Sequence, residues 1–117
     1  MGPEQLRDRT KAFAVRIVRL YRSLPHSADS QVVGKQLLRC GTSVAANYRA
    51  ACRGRSRAEW IAKIGLVVEE ADETVFWLEM LSDCGIVASG RCDDILNEAR
   101  ELSAIFTASR HTARRAS

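Results

Sequence analysis

Residues 39–59 read RCGTSVAANYRAACRGRSRAE, a run of alanine, glycine, serine and cysteine with few bulky side chains that closes in arginines at 53, 55 and 57. Stepped at about 100° per residue, this run and the eight residues before it resolve into three faces of one helix. Val33, Leu37, Cys40, Val44 and Ala51 fall within an arc of roughly 60°, the face expected to meet a core. Gly34, Gly41, Ala45 and Cys52 lie beside them within roughly 40°, and their small size admits a second helix at close range, from the same chain or from another subunit. Opposite, Lys35, Arg39, Arg49 and Arg53 fall within about 80° of one another. Arg55 and Arg57 carry that cationic line through the following turn.

Outward from this helix the apolar spacing stays helical, with no convincing alternation of the kind a strand needs. Leu6, Thr10, Phe13, Ile17, Leu20 and Leu24 step by fours and threes until Leu24-Pro25 ends the stripe. Gly54 is the natural stop of the second helix. Ser56-Arg57-Ala58-Glu59 has the S-x-x-E form that satisfies orphan amides at a helix start. Beyond it Ile61, Ile64, Val68, Ala71, Val75 and Leu78 make one stripe, widened by Trp60, Val67, Thr74, Trp77 and Leu81. An arc this wide predicts an intersubunit contact centred on Trp60, Val67 and Trp77. Gly85 suits a left-handed cap, and Cys92, Ile95, Ala99, Leu102 and Phe106 give the last stripe. The expectation is one all-α domain over 1–117, an up-down antiparallel four-helix bundle with helices near 4–24, 31–53, 57–84 and 91–108 and a frayed basic tail at 109–117.

Net charge is +4, and its distribution is uneven. Residues 1–58 hold 12 Lys/Arg against 3 Asp/Glu, residues 59–101 hold 3 against 11, and residues 102–117 hold 3 against none. Two readings follow: a basic face for a polyanion, or basic and acidic helices that neutralise one another within or between subunits. For the arginine line itself, contact with successive phosphates competes with pairing to Glu69, Glu70, Asp72 and Glu73 of the third helix. No aromatic residue alternates with the arginines, so a stacking platform is not indicated and backbone-dominated binding is the expectation.

Several classes are excluded. The longest uncharged run is Cys40–Tyr48, nine residues, against the roughly 20 apolar residues of a membrane span. MGPEQLRDR is charged where a secretory signal is apolar, which predicts a cytoplasmic protein with free thiols at Cys40, Cys52, Cys84 and Cys92. Their spacings of 12, 32 and 8 contain no C-x-x-C, and His26 and His111 lie far from them, so a structural zinc site is not supported. The acids at 69, 70, 72 and 73 lack the histidine partners of a di-metal bundle and spread round their helix. With no nucleophile–base arrangement, phosphate-cradling glycine loop or paired catalytic carboxylates, neither an enzyme nor a cofactor is expected. Asn47, at the margin of the core arc, is expected to bridge a neighbouring backbone group.

The run Gln36 to Glu59, with its T-S-V-A-A-N-Y and R-G-R-S-R-A-E segments, resembles the bacterial four-helix bundle family of 23S ribosomal RNA intervening-sequence proteins. The likeness continues through Ile61–Gly65, Val67–Thr74 and Trp77–Leu81, about 46 residues closely and the flanking helices loosely. Gly54 and Trp60 stand where the family pattern leads one to expect alanine and phenylalanine. That family is similar to the accessory protein of diversity-generating retroelements, a basic barrel that binds nucleic acid and a reverse transcriptase. The resemblance implies a ring-like homopentamer without established enzymatic activity, whose partners would be RNA or DNA and, by analogy, a reverse transcriptase. The arginines at 39, 49, 53, 55 and 57 match the pattern.

Overall fold

A computed structural model of the chain describes residues 1–116, which form four helices: α1 (Pro3–Ser23), α2 (Ala28–Cys52), α3 (Arg57–Asp83) and α4 (Asp93–Arg115). Each packs on the next, and α4 returns to α1 in the slightest of the four contacts, while the diagonal pairs meet only through core side chains, as Tyr48 of α2 does with Phe106 of α4. The result is an all-α up-down bundle with extents of 46 × 21 × 19 Å. Among the described residues, no helix is long and apolar enough to cross a membrane.

Local chemistry sets the helix ends. Pro3 occupies the first turn of α1, where its missing N–H costs nothing, and the Gly2 N–H donates to Gln5 Oε1 at 3.0 Å. Leu24, extended before Pro25, ends the helix. α2 starts at Ala28, three residues before the expected position: Ser27 is its extended N-cap residue, its hydroxyl donating to Asp29 Oδ1 at 2.8 Å, and Asp29 accepts the N–H of the following Ser30 at 2.9 Å. At the start of α3 the Glu59 N–H donates to Ser56 Oγ at 3.1 Å. The returning Glu59 carboxylate accepts from the Arg55 N–H at 2.7 Å, one residue before the cap. α3 closes over Gly85, whose φ of +70° lets the Ile86 and Val87 amides reach back to the Leu81 carbonyl.

The stripes of α2 and α4 are buried as their spacing predicts, and so is that of α1 except Leu20, which is half-buried. α3 differs. Its buried face is Ile64, Val67, Val68, Ala71, Thr74, Leu78 and Leu81, and Val67 is fully enclosed by the chain's own core. Val67 is therefore removed from any subunit contact, and Ile61 and Val75, expected on the core stripe, are only half-buried. The tail also departs from expectation. Residues 109–115 continue α4 because alanine and arginine favour helix and the terminal Arg114 and Arg115 suit the C-terminal dipole. Ser117 lies outside the described residues.

At Gly34 and Gly41 the small face of α2 packs inside the chain. A Cβ on Gly34 would lie 2.9 Å from Leu24 Cδ1, and one on Gly41 would lie 2.9 Å from both Ile17 Cγ1 and Cγ2, so these glycines let α1 approach closely.

Candidate nucleic-acid interface

The arginine line of α2 splits once its neighbours are in place. Lys35, Arg39, Arg49, Arg53, Arg55 and Arg57 are all exposed. Arg39 reaches across to α3, where it bonds Glu73 and lies 3.2 Å from Glu70. The Glu73 hydrogen bond is the main cause of the rise in its guanidinium pKa. Arg57 Nη2 donates to the Ala113 carbonyl at 3.1 Å, near the end of α4. Among the described residues, Lys35, Arg49, Arg53 and Arg55 enter no ion pair.

Arg49 and Arg53 instead form one wall of a groove of about 580 Å³ between α1 and α2. Arg7 and Lys11 of α1 form the other wall, Thr42, Ala45 and Ala46 line it from α2, and Asp8 supplies its one acid. Ala45 thus opens a groove, whereas Gly34 and Gly41 close a helix contact. Arg7 and Lys11 were not singled out in the sequence. Their signal was available, an i,i+4 cation pair on the exposed side of α1.

Antiparallel connectivity brings the α1 and α3 N-termini together with the α2 and α4 C-termini. This end carries Arg7, Lys11, Arg49, Arg53, Arg55 and Arg57, joined by Arg110, Arg114 and Arg115 of α4. Glu4, Asp8 and Glu59 are the acids at this end, while the acids 70, 72, 73, 79, 83, 93 and 94 occupy the middle and the opposite end, alongside Arg16, Arg19, Arg22, Lys35 and Arg91.

The Cys40 thiol and the Glu70 and Glu73 carboxylates, with ligand atoms within 4.8 Å of one another, have a spacing that a metal requires. Arg39 occupies both carboxylates, and burial pushes the Cys40 thiol pKa up, away from the thiolate that a metal needs. The set is therefore read as an arginine-neutralised cluster. Asn47 Nδ2 donates to the Ser43 carbonyl at 3.0 Å, bridging backbone of its own helix.

Of the residues expected at a subunit contact, Trp60 and Trp77 are half-buried and Val67 is internal. Trp60 stands edge-on to Tyr48, with ring centroids 6.2 Å apart, and Tyr48 packs on Phe106 at 5.1 Å. Trp77 Nε1 is buried without a hydrogen-bond partner among the described residues. Leu66 and Phe76, 42% and 49% exposed, stand out from α3.

Comparison with known proteins places this geometry. No curated protein matches the chain. Among solved structures, a protein of unknown function from the S23 ribosomal protein family of Bacteroides thetaiotaomicron is similar, with a TM-score of 0.86 at 35% identity over 95% of this chain and 99% of that one. The model of the 23S rRNA-intervening sequence proteins matches residues 5–108, reaching into all four helices. The chain therefore belongs to the 23S rRNA-intervening sequence protein family.

Proposed function

We propose that the protein is a non-enzymatic cytoplasmic bundle that binds the sugar-phosphate backbone of RNA or DNA in the α1–α2 groove. One observation carries the reading: Arg7, Lys11, Arg49 and Arg53 converge there against a single carboxylate, Asp8. Cations held on two rigid helices a groove apart suit a polyanion whose charges repeat along a strand. Contact with phosphates alone carries little sequence information, so affinity depends on salt more than on base identity. Filter binding to structured RNA and to duplex DNA across a salt series tests it. The expected result is binding at low salt that weakens when Arg7, Lys11, Arg49 and Arg53 become alanine. No binding at low salt, or binding indifferent to those substitutions, overturns it.

A second reading, a structural oligomer whose helices pair charge across subunits, is favoured by Arg39, whose acids are on α3. That pairing is made within one chain, which weakens it as an intersubunit device. Self-association is compatible with the groove reading. We place the contact on the outer face of α3, where Leu66 and Phe76 leave apolar surface exposed beside Trp77, in the homopentamer that the family resemblance implies.

A further inference from the structure

We propose that a second groove, at the cationic end of the bundle, takes an unpaired nucleobase stacked on Trp60, so that the protein grips single-stranded nucleic acid more tightly than a duplex. The proposal rests on the backbone-binding reading above and names the form of nucleic acid. The groove, about 520 Å³, lies between the first turn of α3 and the last two turns of α4. Arg57 and Trp60 form one side, and Ala108, Ser109, Thr112 and Ala113 the other. The small α4 side chains leave room beside the indole, and the Thr112 hydroxyl supplies a group able to meet a base edge.

Three features favour a base over another occupant. Trp60 is half-buried and braced edge-on by Tyr48, itself held against Phe106. An aromatic fixed in this way loses little freedom on binding, and every base offers it a flat face. Arg57, tied to the Ala113 carbonyl, keeps its charge at the edge of the same groove. Finally, Arg53 lines the first groove and Arg57 the second, with Arg55 on the turn between them. A phosphate backbone neutralised along 53, 55 and 57 would cross the end of the bundle from one groove to the other, past one carboxylate, Glu59, which is held on the Arg55 N–H. The stacking residue escapes a reading of α2 alone because it comes from the next helix.

In a Trp77→Phe variant Trp60 is the sole tryptophan, and its emission reports the groove directly. Oligouridine and oligo-dT are titrated against it beside a duplex of matched length. The expected result is quenching by the single strands and not by the duplex. Trp60→Ala is expected to lower single-strand affinity about tenfold or more while leaving duplex affinity unchanged, and Trp60→Phe to retain most of it. Photo-crosslinking of a bromouridine-substituted strand to the unmodified protein, expected at the Trp60 peptide, keeps the test independent of how the variants fold. Single-strand binding without quenching, crosslink or loss in Trp60→Ala overturns the stacking site and leaves the α1–α2 groove standing. Failure of every nucleic acid to bind overturns both.

Discussion

Arg9 of α1 holds Glu98 of α4 with one edge of its guanidinium, Nε to Oε2 at 2.8 Å and Nη2 to Oε1 at 2.6 Å, and reaches Glu101 with the same Nη2. It fastens the slightest helix contact in the bundle. Both partners of the main pair are largely shielded, with side-chain exposures of 24% and 18%. The bond therefore lies above the usual surface pair in strength. Arg9→Met is expected to destabilise the fold by about 1–2 kcal/mol, read by urea unfolding.

The same pair sets an acid limb. The Arg9 hydrogen bond is the main cause holding the Glu98 carboxyl below its ordinary value of 4.5. A depressed folded pKa stabilises fully above the unfolded value and loses that contribution as pH falls through the folded one. Stability is thus expected to drop below about pH 4.5, and Glu98→Gln to flatten that drop while lowering stability at neutral pH. Urea midpoints measured from pH 3 to 7 check it, and an unchanged slope in Glu98→Gln would count against the pair as its source.

Two glycines of neighbouring helices are expected to respond with opposite signs to alanine. At Gly41 the added Cβ meets both branches of Ile17, a side chain with no exposure and no room to turn. The overpacking cost of about 1–3 kcal/mol outweighs a helix gain of about 1 kcal/mol. At Gly65 nothing lies within 4 Å, so alanine there is expected to stabilise by about 0.5–1 kcal/mol. Thermal unfolding of the two variants, with Tm lower for Gly41→Ala and higher for Gly65→Ala, checks the pair.

These residues show what was legible in the sequence. Stripes bounded by polar neighbours, such as Cys92–Phe106 in α4, marked the core directly. α3 is apolar around much of its circumference, so its stripe had no sharp edge. Val67 was therefore assigned to a surface that it does not reach. Arg7 and Lys11 were passed over for a different reason. A groove between helices has two walls, and the wheel of α2 shows only one. Arg39, in the same stripe as Arg49, differs in role only because α3 supplies Glu70 and Glu73 on its side.

That division predicts unequal arginines. Arg49→Ala and Arg53→Ala are each expected to weaken polyanion binding and to reduce its salt slope by about 0.7–0.9 per phosphate contact removed. Arg39→Ala, whose side chain already serves two carboxylates, is expected to leave the slope unchanged. Equal losses at all three positions in one salt series would contradict the split.

The last prediction concerns the outer face of α3, where Leu66 and Phe76 are exposed and Val67 between them is not. If that face joins subunits, Leu66→Glu with Phe76→Glu desolvates two carboxylates at the contact, a cost that an apolar interface cannot offset. The double variant is expected to sediment as a folded monomer while the unmodified protein sediments as an oligomer. Val67→Ala acts on the other side of the helix, leaving a cavity in the core that costs about 2–3 kcal/mol. Its expected signature is a lower unfolding midpoint with the assembled mass retained. A monomeric mass for the unmodified protein at micromolar concentration, or an intact oligomer in the double variant, removes α3 as the contact and leaves the α1–α2 groove untouched.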